Sequence, residues 1–189
     1  MNKFLIVTHN DADGSTAAAV IAKKLKSMGV SINEIEVVVD NLSTKIDWDK
    51  LKATTAIFIT DHPYVPQLQK NNPDVDVVWL DHHISSFSED SKDIQGIRSA
   101  SMAGCELAWL YCFGNEEDIN TVKKYPKTKR QNADIDKIRR KAPLFVQYIG
   151  DNDNWDKRTK EKGWNVFVGA NGYPDLSSKL KNVFPSGLL

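Results

Sequence analysis

Cysteine is scarce: the 189-residue chain has two, Cys105 and Cys112. Two cysteines cannot build a disulfide framework, and without a paired CxxC they do not make a zinc site. They are read as free, buried thiols in a reducing cytosol, so the expected location is cytoplasmic. Long apolar runs are also missing. None approaches the ~20 residues that cross a bilayer, so no membrane association is expected. The apolar run at the N-terminus ends in His9-Asn10-Asp11 rather than in a small-residue cleavage site, and no signal peptide is read there. There is no internal repeat and no low-complexity tract. Excess charge of one sign is absent as well, with 25 basic and 25 acidic residues.

That zero hides a segregation. Between Lys123 and Lys141 lie nine Lys or Arg and two Asp, leaving 16 basic against 23 acidic residues elsewhere. A basic face for an anionic partner beside an acidic centre is the physical expectation. Hydrophobic residues at 41% and charged residues at 26% are ordinary globular values, which argues against disorder. A chain of this length can bury roughly 70% of its unfolded surface. One domain over residues 1–189 is expected, with residues 157–189 as a C-terminal extension.

The β-branched run at 4–8 reads as a strand buried on both faces, and 35–39, 56–60 and 75–80 read as further strands. Ala17, Ala18, Ile21, Leu25 and Met28 follow a helical period that Gly29 ends. Further helices are expected at about 64–71, 102–113 and 132–149, with 114–131 as an exposed basic connection. Strands alternating with amphipathic helices indicate an α/β fold: three layers, a mostly parallel sheet with helices on both faces.

In such a sheet, ligands bind at the carboxyl ends of the strands. Three of the expected strands end in acidic and imidazole residues: His9-Asn10-Asp11-Ala12-Asp13-Gly14, Asp61-His62-Pro63 and Asp81-His82-His83. All four histidines of the chain lie in these clusters. Another acidic run, Asp151-Asn152-Asp153-Asn154-Trp155-Asp156, follows the long helix. Any one of them alone is better explained as a helix cap, a turn or a solvated loop. Together, they offer mixed carboxylate and imidazole donors suited to Mn²⁺, Zn²⁺ or Fe²⁺. There are enough ligands for two ions sharing one carboxylate, the arrangement that activates water and holds a phosphoryl group.

HNDADG, DHP, DHH and GDND, in that order, resemble the DHH superfamily of phosphoesterases over roughly residues 3–156. That superfamily includes RecJ-like exonucleases, nanoRNases, cyclic-dinucleotide phosphodiesterases, exopolyphosphatases and manganese-dependent family II pyrophosphatases. The resemblance implies a two-metal site, usually two Mn²⁺, with Mg²⁺, Co²⁺ or Zn²⁺ as substitutes. It places one ion at His9 and Asp11, and the other at Asp13, His82 and Asp151, with Asp61 bridging. Asp151 and Asp153 are both candidates in the last motif. Asp151 is preferred because it directly follows the apolar helix end Tyr148-Ile149-Gly150. His83 is expected to face substrate phosphate, with Asp81 orienting the imidazoles. Most members carry a second domain with a GGGH-type motif, which has no counterpart in this sequence. Either the protein is a minimal member or a partner subunit in a homo-oligomer closes the cleft.

Substrate contacts are expected from Ser101, before a helix N-terminus, and from Arg139 and Arg140 in the basic stretch. Trp155 is expected to stack a base, as Tyr148 and Trp164 could. The expected function is hydrolysis of phosphodiester bonds in short or single-stranded nucleic acid or dinucleotides. The alternative is a phosphoanhydride hydrolase acting on polyphosphate or pyrophosphate. A fold-retaining, non-catalytic binding module would have lost ligands that are all present here.

Overall fold

The apolar runs assemble into a five-stranded sheet in which every neighbouring pair is parallel. The computed structural model describes residues 3–40, 56–63, 74–87, 93–126 and 132–153. The strands are β1 (Phe4–His9), β2 (Ile35–Asp40), β3 (Ala56–Thr60), β4 (Asp76–Asp81) and β5 (Gln95–Arg98), in the order β2-β1-β3-β4-β5. Parallel strands need covering on both faces, which is why β1, β3 and β4 are rich in Val, Ile and Leu. Side chains alternate across the sheet. Ile6, Val78, Leu80 and Ile97 enter one core with α1 (Ala12–Ser27), α2 (Gly104–Phe113) and their neighbours. Leu5, Val7, Ile57, Ile59, Val77 and Trp79 form a second buried cluster on the opposite face. The result is the expected α/β fold with a sheet buried on both sides.

β5 departs from the four-strand expectation. Its sequence, Gln-Gly-Ile-Arg, has little strand propensity, and it pairs with β4 through Gly96 opposite Trp79. Gly96 takes φ +131°, and a Cβ there would sit 1.9 Å from the Trp79 carbonyl oxygen. Only glycine admits that approach, so the residue that weakens the sequence signal is the one the pairing requires.

The basic connection expected at 114–131 contains a helix, α3 (Glu116–Lys123), capped by the Asn115 side chain, which accepts from the Asp118 amide at 2.8 Å. The long helix expected at 132–149 is two helices, α4 (Ala133–Arg139) and α5 (Leu144–Asp153). Pro143 explains the break, since it lacks an N–H and disfavours helical backbone in the residue before it. The helix expected at 64–71 lies outside the described residues, as does the extension at 157–189. Among the described residues, no helix is long and apolar enough to cross a membrane. Cys105 and Cys112 are free and buried, as expected.

The strand order reverses between β1 and β3: the chain steps outward from β1 to β2, then returns to the other side. The crevice at such a switch point, outside the carboxyl ends of the strands, is where open α/β sheets bind ligands.

Candidate metal centre

β1, β3 and β4 deliver acidic or imidazole residues at their carboxyl ends, at or beside the switch point. β1 ends on His9, and Asp11 then caps α1 by accepting from the Gly14 amide at 2.8 Å. Asp13 sits in the first turn of α1, a favourable place for a carboxylate. β3 is followed by Asp61 at φ +51°, left-handed backbone that short polar residues tolerate best. The Asp61 amide donates to the Leu80 carbonyl at 3.0 Å, tying this turn to β4. β4 ends on Asp81, and His82 and His83 follow.

Two helix ends complete the arrangement. The first amides of α2 hold Asp13: Gly104 N–H donates to Oδ2 at 2.7 Å and Cys105 N–H to Oδ1 at 2.8 Å. A Cβ at Gly104 would lie 2.8 Å from Asp61 Cβ and 3.0 Å from Asp13 Oδ2, so a glycine lets α2 close this far. From the other side, the last turn of α5 brings in Asp153.

These side chains form three overlapping groups that could each hold a metal ion: His9, Asp11 and Asp61; Asp13, His82 and Asp153; and Asp61, His82 and His83. His9 Nδ1 lies 2.8 Å from Asp11 Oδ2 and 4.0 Å from Asp61 Oδ2. His82 Nε2 lies 3.0 Å from Asp61 Oδ1, 3.5 Å from Asp153 Oδ2 and 3.7 Å from Asp13 Oδ2. Asp61 is thus the residue shared between the His9 group and a His82 group.

The electrostatics are those of buried carboxylates crowded together. Burial, reinforced by Asp13, Asp11 and Asp153, pushes the Asp61 carboxyl up to about 11. Burial likewise raises Asp13, and burial together with Asp13 raises Asp153 to about 6. Asp61 Oδ2 is buried and makes no hydrogen bond among the described residues. Such an atom is costly unless something charged meets it. A divalent ion held there would satisfy it and would oppose each of these shifts. The donors, imidazole nitrogen and carboxylate oxygen, fit a first-row divalent metal.

Asp81 stands behind this layer, fully buried. Its Oδ1 lies 2.8 Å from His83 Nδ1, and its Oδ2 accepts from the Ser86 hydroxyl. The hydrogen bond to His83 raises that imidazole above its ordinary value, against the opposing effect of burial.

The other sequence expectations are placed differently. One oxygen of Asp151 accepts from Arg139 Nη2, and among the described residues the α5 carboxylate grouped with Asp13 and His82 is that of Asp153. Arg139 is 6% exposed, with Nε donating to Glu106 Oε1 at 2.7 Å. The guanidinium is thus engaged among buried carboxylates rather than displayed on the surface. Arg140 is exposed, and its carbonyl accepts from Gln147 Nε2 at 3.4 Å. Ser101 is buried, its hydroxyl 2.7 Å from that of Ser99. Trp155 and Trp164 lie outside the described residues, and Tyr148 is exposed on α5. His62 pairs with Asp40 at 2.8 Å rather than with the cluster. Part of the basic stretch is internally paired, Lys141 with Asp118 at 2.7 Å and Lys137 with Asp134 at 3.9 Å. The α2 amides on Asp13 carry no motif signal, because helix N-termini bind anions through backbone alone.

The family model described as "DHH family, N-terminal domain" matches residues 3–135. No curated protein matches. Among solved structures, the chain aligns with an uncharacterized protein from Helicobacter pylori G27 at 14% identity and TM-score 0.52, covering 84% of this chain and 45% of that one. It aligns with RecJ in complex with Mn²⁺ from Thermus thermophilus at 16% identity and TM-score 0.44, covering 62% of this chain and 18% of that one. It aligns with an exonuclease RecJ bound to manganese at 17% identity and TM-score 0.44, covering 61% of this chain and 33% of that one. The chain therefore spans less than half the length of each of these structures. On the family match, which takes in His9, Asp11, Asp13, Asp61, Asp81, His82 and His83, the chain belongs to the DHH family.

Proposed function

We propose that the protein is a metal-dependent phosphoesterase that hydrolyses phosphodiester bonds in short or single-stranded oligonucleotides or dinucleotides. The observation that carries this is the convergence on Asp61, a buried carboxylate that two ligand groups share and whose Oδ2 has no hydrogen-bond partner among the described residues. In this proposal His9 and Asp11 hold one Mn²⁺. Asp13, His82 and Asp153 hold the other, and Asp61 contacts both.

Bound there, a divalent pair supplies Lewis-acid activation of water and charge neutralisation at a phosphoryl group. The chain's own residues do the rest. Asp61 and the two imidazoles would hold the pair. The α2 amides orient Asp13 so that its carboxylate cannot swing away. Asp81 ties His83 through Nδ1 and leaves Nε2 as the ring's remaining polar atom. With its side chain 38% exposed, His83 can present that nitrogen to substrate and stabilise charge developing on a phosphoryl oxygen. The exposed part of the basic stretch supplies long-range attraction for a polyanion, an effect that weakens with salt.

The test is one panel with Mn²⁺: a dinucleotide, a longer single-stranded oligonucleotide, a cyclic dinucleotide, polyphosphate and pyrophosphate. The proposal expects cleavage of the dinucleotide or oligonucleotide. Turnover confined to polyphosphate or pyrophosphate contradicts it and makes the chain a phosphoanhydride hydrolase.

His83→Ala should keep two ions and slow turnover on the order of 10²-fold, the effect of removing one charge-stabilising donor. Metal titration beside steady-state kinetics checks this. Loss of an ion in His83→Ala would instead make His83 a ligand, in the group it forms with Asp61 and His82.

A further inference from the structure

We infer that Arg139 is a positioning residue that sets the geometry of the cation position at Asp13, His82 and Asp153, an inference that rests on the metal assignment above. Its guanidinium joins three helices. Nε donates to Glu106 Oε1 on α2 at 2.7 Å. Nη1 lies 3.4 Å from Asp136 Oδ1 on its own helix, α4. Nη2 donates to Asp151 Oδ1 on α5.

Two of those contacts lead to ligands. Glu106 is fully buried, and its other oxygen accepts from the Ala103 amide at 3.0 Å. Ala103 immediately precedes Gly104 and Cys105, whose amides hold Asp13. The Arg139–Glu106 pair therefore anchors the turn that fixes one ligand. Asp151 lies two residues before Asp153 on α5, and side chains two apart on a helix point to nearly opposite sides. With Asp151 drawn to Arg139, Asp153 faces His82 at 3.5 Å. The Arg139–Asp151 pair therefore sets the rotation of α5 that presents the other ligand.

The packing at this junction is close and independently marked. A Cβ on Gly150 would sit 2.5 Å from Glu106 Cδ, so α5 lies directly against the carboxylate that Arg139 holds. A planar fork can reach carboxylates on two helices at once, whereas a lysine ammonium is a single point on a flexible stem. Lysine at 139 keeps the charge and loses the clamp. Arg139 and the Ala103 amide donate to different oxygens of Glu106, so glutamine at 106 turns a donating NH₂ toward one of the two donors.

Arg139→Lys and Glu106→Gln test this by Mn²⁺ titration of the full chain, followed by electron paramagnetic resonance and accompanied by thermal melts without metal. Asp11→Asn and Asp153→Asn, each removing one position, assign the two binding steps. Both clamp variants should bind the ion at the Asp153 position ~10–100-fold more weakly, the usual effect of losing a group that orients a ligand. Binding at the His9–Asp11 position should be unchanged. A merely structural role would lower the melting temperature and weaken both steps together, and that result overturns the inference. So does retention of both affinities in the two variants. If Arg139→Lys does not fold, Glu106→Gln carries the same expectation by itself. A wild-type chain that takes up no Mn²⁺ overturns the metal assignment and this inference with it. Two ions in the wild type with unaltered variants overturns this inference alone.

Discussion

Asp61→Asn is expected to lower turnover by on the order of 10⁴ while leaving the metal-free chain folded. A carboxylate shared by two cation positions supports both, and metal-ion catalysis is worth several kcal/mol of transition-state stabilisation. A loss of about 5 to 6 kcal/mol corresponds to roughly four decades in rate. Asparagine is the right replacement because φ at position 61 is +51°, a conformation that Asp and Asn adopt readily and that costs alanine about 1–2 kcal/mol. The metal-free stability moves the other way. With its carboxyl pushed up to about 11, Asp61 takes up a proton on folding at neutral pH, so it destabilises the metal-free fold increasingly above the unfolded value near 3.8. Asparagine removes that dependence. The variant without metal should therefore melt at the wild-type temperature near pH ~4 and above it at pH ~8. Denaturation curves at the two pH values, beside kinetics with Mn²⁺, check both halves. A variant that is inactive because it is unfolded would contradict the assignment.

Asp153→Asn should cost on the order of 10³ in turnover, about 4 kcal/mol, and remove one of two ions. Asp153 Oδ2 stands 3.5 Å from His82 Nε2 in a group with Asp13. Asp151→Asn should cost no more than about tenfold, since asparagine keeps an oxygen that can accept from Arg139 Nη2 and so keeps the rotation of α5. The comparison is made on the two variants in parallel, by metal count and by rate. A larger loss at Asp151 than at Asp153 would return the ligand role to Asp151.

The choice between those two aspartates marks where the sequence stops being informative. His9, Asp11, Asp13, Asp61, His82 and His83 follow strands whose buried Val and Ile runs are plain in the sequence, and parallel strands deliver their ends to one edge. Their convergence follows from local pattern plus one topological rule. Asp151 and Asp153 sit on a helix, where facing depends on phase, and the phase is set by Arg139 and Glu106 from distant positions. Adjacency to Ile149 and Gly150 carries no such information. Arg139 eludes sequence reasoning for a related reason: a basic residue among basic residues looks solvent-facing until its buried carboxylate partners are seen. β5 escapes because Gly96, needed for close approach to Trp79, dilutes a four-residue strand. The single helix expected over 132–149 overlooks Pro143, a local signal that is present in the sequence.

Mn²⁺ stoichiometry tests the central claim most directly. Metal-free wild type and Asp61→Asn, equilibrated with saturating Mn²⁺ and freed of excess, are assayed for bound metal per chain. The two-ion centre predicts two ions in the wild type and a loss of affinity at both positions in Asp61→Asn. No bound ion in the wild type, or a single ion indifferent to the loss of Asp61, would contradict it.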